Sequence, residues 1–149
     1  MNTIFSASSI LVMPFWFLMI FLPHWRWTRR IIGSPWIIAP AALLYALLVL
    51  PDFTTILGAV FSPTLDGIQQ LLATPSGATI SWVHFLAFDL FVARWAFVDG
   101  QKAGISSLLV SPTLFFILML GPFGFLLYLS VRTVVLNRRR EPAPQRAGS

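Results

Sequence analysis

Apolar and polar positions along the chain divide it into long uncharged runs separated by short charged or proline-containing segments. Residues 2–23 carry no charge and are long enough for one membrane-crossing helix, which needs about 20 apolar residues. Arg26, Arg29 and Arg30 close that run, with Trp16, Trp25 and Trp27 toward the same end, where interfacial aromatics gather. Residues 31–51 form the second run, opened by Gly33-Ser34-Pro35 and closed by Pro51. Within it Ala39, Ala42 and Ala46 make a small-residue stripe suited to close helix packing. Residues 52–81 read as an interfacial amphipathic segment, because Pro63, Asp66, Gln69, Gln70, Pro75 and Gly77 interrupt their apolar stretches. Residues 82–98 are a third span, apolar except for His84, Asp89 and Arg94. Residues 103–131 are a fourth uncharged run, broken by Pro112 and by Gly121-Pro122-Phe123-Gly124. The expected architecture is all-α: an integral membrane protein of four transmembrane helices with an interfacial segment between the second and third. Residues 1–131 form the membrane domain and residues 132–149 a basic, disordered tail.

Composition sharpens this reading. Of 149 residues, 57% are hydrophobic and 10% charged, with mean hydropathy +0.81. A chain this short cannot bury that much apolar surface in one core, so a soluble monomer and a disordered chain are both excluded. The formal charge of +5 sits mostly in residues 132–149, where Arg132, Arg138, Arg139, Arg140 and Arg146 outnumber Glu141. Such a juxtamembrane cluster meets anionic lipid headgroups. No folded basic face or reading motif points to nucleic acid. Charge bias leaves the orientation open: four spans place the first arginine cluster and the tail on opposite sides. Both termini in the cytoplasm is the preferred arrangement. The amino terminus has neither the basic start and cleavage site of a removable signal nor a serine- and arginine-rich transit extension. The expected location is therefore a bacterial inner membrane, or a plastid membrane if the chain is eukaryotic.

Cysteine is absent, which removes disulfides, thiolate nucleophiles and iron–sulfur ligation. The two histidines lie on different segments with no carboxylate–histidine set, so no metal and no cofactor is expected. No phosphate loop, nucleophile elbow or nucleotide fingerprint occurs. The chemistry is concentrated in the third span, where His84, Asp89, Arg94 and Asp99 recur every five residues. At about 100° per residue each step turns about 140°, so the four spiral and must meet partners on several sides. An aspartate or arginine in mid-membrane costs about 2.5–3.5 kcal/mol and persists where it pairs, lines a wet cavity or does chemistry. Asp89 is thus either an inter-helix lock or part of a ligand or catalytic site. Arg94 is its electrostatic neighbour or a snorkelling side chain. His84 is an interfacial histidine or a proton donor. Asp99-Gly100 reads as a structural turn ending the span, and His24, beside tryptophans, carries no assigned role. The break at Gly121-Pro122-Phe123-Gly124 either kinks a packed helix or opens space for a ligand. Gly121, Pro122, Gly124 and Trp95 are the candidate ligand contacts.

The pattern His84-x4-Asp89-Leu90-Phe91-x2-Arg94-x4-Asp99-Gly100, followed by Gly121-Pro122-Phe123-Gly124, resembles the abscisic-acid-deficient-four-like family. Met13-Pro14-Phe15-Trp16 and Phe61-Ser62-Pro63 add to the resemblance, which covers nearly the whole apolar part of the chain. This is the family of the plant plastid protein required for neoxanthin formation. The resemblance implies four membrane helices and binding or modification of a hydrophobic isoprenoid, with a carotenoid as the leading ligand. Conversion of an epoxide to an allene needs an acid and a base. Asp89 and His84 have the chemistry for it, with Arg94 as electrostatic partner. Two other readings stand beside it. One is a structural or assembly subunit of a larger membrane complex, with Asp89 and Arg94 as locks. The other is a proton pathway built by a homo-oligomer.

Overall fold

The computed structural model describes residues 1–140. These residues are helical almost throughout, and they include no strand. Helix α1 (Asn2–Phe21) is followed by the short α2 (Arg26–Gly33). A 3-10 turn at Pro35–Ile38 leads into α3 (Ala39–Val49), and a second at Leu50–Asp52 leads into α4 (Phe53–Phe61). Then come α5 (Leu65–Ala73), α6 (Pro75–Lys102), α7 (Ser107–Leu120) and α8 (Pro122–Arg140).

Three helical stretches are long and apolar enough to cross a membrane: Asn2–Phe21, Pro35–Phe61 and Pro75–Lys102. The second runs past Pro51, where the apolar run was expected to close. Pro51 falls inside a 3-10 turn, which keeps the chain winding without the missing amide. Residues 53–61 therefore extend the second long helix, and only α5 retains the expected character of a short amphipathic segment. Its start is capped by Thr64, whose Oγ1 accepts from the Gly67 amide at 3.1 Å. The next elbow is tied by Thr74, whose Oγ1 donates to Leu71 O and accepts from Gly77 N, both at 2.9 Å. Gly77 is required there, since a Cβ would lie 1.9 Å from the Leu71 carbonyl oxygen.

Helices α1 and α6 run parallel. Near their starts Trp82 Nε1 donates to Ser9 Oγ at 3.0 Å, and the Trp82 ring stacks on Phe5. Near their ends Gln101 Nε2 donates to Pro23 O at 3.5 Å. The Pro35–Phe61 stretch runs antiparallel to α6: Arg94 reaches the residues just before it, Tyr45 faces His84, and Val60 approaches Ile80. The core lies around α6, with Leu90, Ala93 and Ala96 meeting Trp16 and Met19 of α1 and Leu114 and Ile117 of α7. Trp16 is therefore a core residue at 1% exposure, not an interfacial one, whereas Trp25 and Trp27 are exposed as expected. Outside the core the surface is apolar, with Phe17, Phe21, Leu43, Leu47, Phe61 and Leu108 all exposed.

The fourth apolar run departs from expectation. It is not one kinked helix but a hairpin. Gly121 adopts φ +34°, a conformation that favours glycine, and Pro122 starts α8 at the position where a missing amide costs nothing. Helix α8 then folds back along α7. Its Arg139 returns to the residues just before α7, donating to Ala103 O and Gly104 O, both at 2.7 Å. Gly124 makes the close crossing of the two helices, because a Cβ there would sit 2.1 Å from Ile117 N. Helix α8 also continues to Arg140, through the first half of the stretch expected to be a disordered tail; the remainder, residues 141–149, lies outside the described residues.

These directions bring the basic residues together. Arg26, Arg29 and Arg30 on α2, Lys102 ending α6, and Arg132, Arg138 and Arg139 on the returning α8 all lie toward one end of the bundle. Asp52 and Asp66 lie toward the other.

Candidate functional site

The polar spiral of α6 meets a different partner at each step. His84 points to the Pro35–Phe61 side, its ring centroid 4.7 Å from Phe88 and 5.3 Å from Tyr45. Five residues on, Asp89 faces the hairpin tip: a Cβ on Gly121 would lie 2.7 Å from its Oδ1. The Asp89 side chain thus sits beside the start of α8. Neither His84 nor Asp89 forms a hydrogen bond among the described residues. The two occupy different faces of α6, so the acid–base pair expected from their chemistry does not converge on one point.

Arg94 turns toward α2. Its Nε donates to Ser34 O at 3.0 Å and its Nη2 to Gly33 O, so the guanidinium caps the negative end of that helix. It is an inter-helix lock within this chain and does not accompany Asp89. Asp99 forms the other lock. Its Oδ2 accepts from Arg132 Nε at 2.6 Å and from the Tyr128 hydroxyl at 2.5 Å, joining α6 to α8. Tyr128 is fully buried. Nothing in the sequence marked Tyr128, and Arg132 read as part of the basic tail, although their spacing of one helical turn places both on one face.

Asp99-Gly100 does not end the span. Helix α6 runs on to Lys102, and the turn falls at Gly104, with φ +64°. Gly100 is structural in another way, since it makes room for Val110, whose Cγ2 would lie 3.0 Å from an added Cβ. Among the expected ligand contacts, Gly121 meets Asp89 and Gly124 meets the α7 backbone. Pro122 begins α8, and Trp95 packs edge-on against Phe125 and Tyr128. All four lie at the hairpin and its attachment to α6. His24 makes a contact that the sequence did not reveal, its Nε2 lying 2.6 Å from Ser107 Oγ.

The place with room for a hydrophobic molecule is elsewhere. An apolar groove of about 320 Å³ is lined by Ile38, Ala42, Tyr45, His84, Ala87 and neighbouring phenylalanines. A second recess of about 220 Å³, reaching Ile56, Leu71 and Gly77, shares Tyr45 and His84 with the first. Together they follow α6 from Gly77 to Phe91, about 21 Å at 1.5 Å per residue. His84 is the one ionisable histidine, acid or base along this track, beside the Tyr45 phenol. No signal in the sequence marked Tyr45, a single tyrosine in an apolar run. Among the described residues no group of three or more histidine, cysteine or acidic side chains is placed to hold a metal ion.

Comparison with known proteins agrees with the motif reading. The family model described as ABA DEFICIENT 4-like matches residues 3–128. The curated protein "Protein ABA DEFICIENT 4, chloroplastic" of Arabidopsis thaliana is 26% identical over 144 residues. That alignment covers 92% of this chain and 64% of the plant protein, so the chain spans less than two thirds of its relative's length. No solved structure matches. With the family model covering most of the chain, the chain belongs to the ABA DEFICIENT 4-like family.

Proposed function

We propose that this chain is an integral membrane protein that holds an elongated isoprenoid, a carotenoid or xanthophyll, in the groove between its Pro35–Phe61 stretch and α6. The observation that carries the reading is the groove itself. It is apolar and aromatic-lined, follows α6 for about 21 Å, and holds one histidine. A polyene is a rigid apolar rod, and such a ligand gains most from continuous burial with few polar contacts to fix its register. His84 Nδ1 or Nε2 and the Tyr45 hydroxyl are the groups that would bond an oxygen on the rod. Membership in the family supports the same ligand class. Asp89 and Arg94 have no part in this groove, so the reading is of binding and presentation. The epoxide-to-allene chemistry would need a second catalytic group brought to His84 by a ligand or another protein. Purification in mild detergent from the native source tests the proposal. The expected result is a carotenoid absorption band and about one carotenoid per chain by mass spectrometry. A colourless preparation with a stoichiometric protein partner would instead make the chain an assembly subunit.

The membrane arrangement is part of this proposal. Three helical stretches cross, and α7–α8 enters from the basic end and turns back at Gly121, level with Asp89. The positive-inside rule then places the basic end in the cytoplasm or its organellar equivalent and the amino terminus on the opposite face. This replaces the arrangement with both termini on one side, and the conflict between the two arginine clusters disappears. The chain contains no cysteine, so single cysteines report cleanly. Asn2→Cys and Arg138→Cys are expected to react with an impermeant maleimide from opposite faces of sealed vesicles. Labelling from the same face would sink the hairpin arrangement. The membrane concerned is a plastid one in the reading that the chloroplastic relative supports; a bacterial inner membrane draws no support from the comparisons.

A further inference from the structure

At the basic end of the bundle, beyond the isoprenoid groove along α6, lies a further cavity of about 370 Å³. Its rim is polar and cationic, with Arg29 from α2, Lys102 and Gln101 from the end of α6, and Ser107 and Ser111 from α7. Phe97, Ile105 and Val110 form its floor. No carboxylate lines it. The nearest acid along α6 is Asp99, whose oxygens are engaged by Arg132 and Tyr128. Lys102 forms no hydrogen bond among the described residues, and Arg29 makes a single long one, from Nη2 to His24 O at 3.3 Å.

This cavity does not end at its polar rim. It shares Pro23, His24, Ser107 and Ser111 with an open cleft of about 530 Å³ between α1 and α7. That cleft is lined by Ile20, Phe21, Leu108, Pro112 and Phe115 and leads away from the charged end into the apolar belt. A cationic cup opening into an apolar channel matches one class of molecule: an anionic headgroup with an acyl chain attached. The His24–Ser107 contact, at 2.6 Å, stands where head and chain would join.

We propose that this cup and cleft form a specific site for an anionic phospholipid. Arg29 and Lys102 hold the phosphate and the acyl chain lies between α1 and α7. Two cations from separate elements converge on one phosphate, as charge-assisted bonds require. A bound lipid would also cement α2, α6 and α7 at the end where the hairpin enters. The site rests on the membrane reading but not on the isoprenoid groove, and it shares no lining residue with that groove.

Native mass spectrometry of the full chain in detergent tests it, with phosphatidylglycerol, phosphatidylcholine and inorganic phosphate as separate probes. Retention of one phosphatidylglycerol in preference to phosphatidylcholine is expected. Arg29→Gln with Lys102→Gln should lower that retention about tenfold or more, because both charge-assisted contacts to the phosphate are lost. Arg26→Gln with Arg30→Gln removes the same charge outside the cavity, where no charge-assisted contact to the phosphate is lost, and should leave retention within about twofold of the parent. Ser111→Phe fills the cup while keeping both cations, and should abolish retention in a protein of unchanged melting temperature. Three outcomes would overturn the proposal: equal binding of phosphatidylcholine, equal loss in the two double variants, or displacement of the lipid by millimolar inorganic phosphate. The last would leave a phosphate-only site.

Discussion

Gly124→Ala is expected to unfold the α7–α8 hairpin. The methyl group would lie 2.1 Å from Ile117 N and 2.3 Å from Phe116 C, and both are backbone atoms that no rotamer change can move. Over-packing usually costs about 1–3 kcal/mol when side chains can yield. Here two helices must separate, so a loss of at least about 3 kcal/mol is expected. Separation would also pull Tyr128 and Arg132 from Asp99. Gly58→Ala is the matching control, because nothing lies within 4 Å of the added Cβ and the helical site gains up to about 1 kcal/mol. Gly121→Ala falls between them. Its positive φ with negative ψ costs an alanine about 1–3 kcal/mol, while the Asp89 side chain in the way can swing aside. Thermal unfolding in detergent, followed by size-exclusion profiles, ranks the three. If Gly124→Ala melts with the parent protein, the hairpin crossing is wrong.

Ala42→Trp is expected to empty the isoprenoid groove without harming the fold. Ala42 lines the groove and is exposed to it, so an indole placed there fills ligand space, not core. Bound carotenoid should fall at least about tenfold, the equivalent of about 1.4 kcal/mol of lost binding. Leu47→Trp places the same indole on the same helix at an exposed position outside the groove and should leave the pigment in place. The two variants should melt alike. Equal pigment in both, with equal stability, would remove the groove from the account and leave the hydrophobic ligand to another surface.

The apolar, helical character of the chain was legible residue by residue. An uncharged run long enough to cross a bilayer is a property of composition and length, and three of the four runs became long apolar helices in place. The spiral of His84, Asp89, Arg94 and Asp99 was legible too, because helical periodicity forces polar groups five apart onto different faces. So was the family, through the α6 motif and the hairpin glycines. The identity of each partner was not. Nothing local says that Arg94 will cap α2, that Asp99 will take Tyr128 and Arg132, or that Asp89 will face Gly121. These are contacts between segments far apart in sequence, and the same charged side chain suits a lock, a ligand or a headgroup. The hairpin shows the limit most clearly. Glycine followed by proline guarantees that a helix is interrupted, but not the angle at which the chain leaves it. A kink of a few tens of degrees and a reversal use the same residues, and the choice is made by what α8 finds when it folds back: the α7 backbone at Gly124, the carboxylate of Asp99, and the carbonyls ending α6. That reversal, which only packing decides, gathers the arginines at one end and separates the cationic cup from the isoprenoid groove.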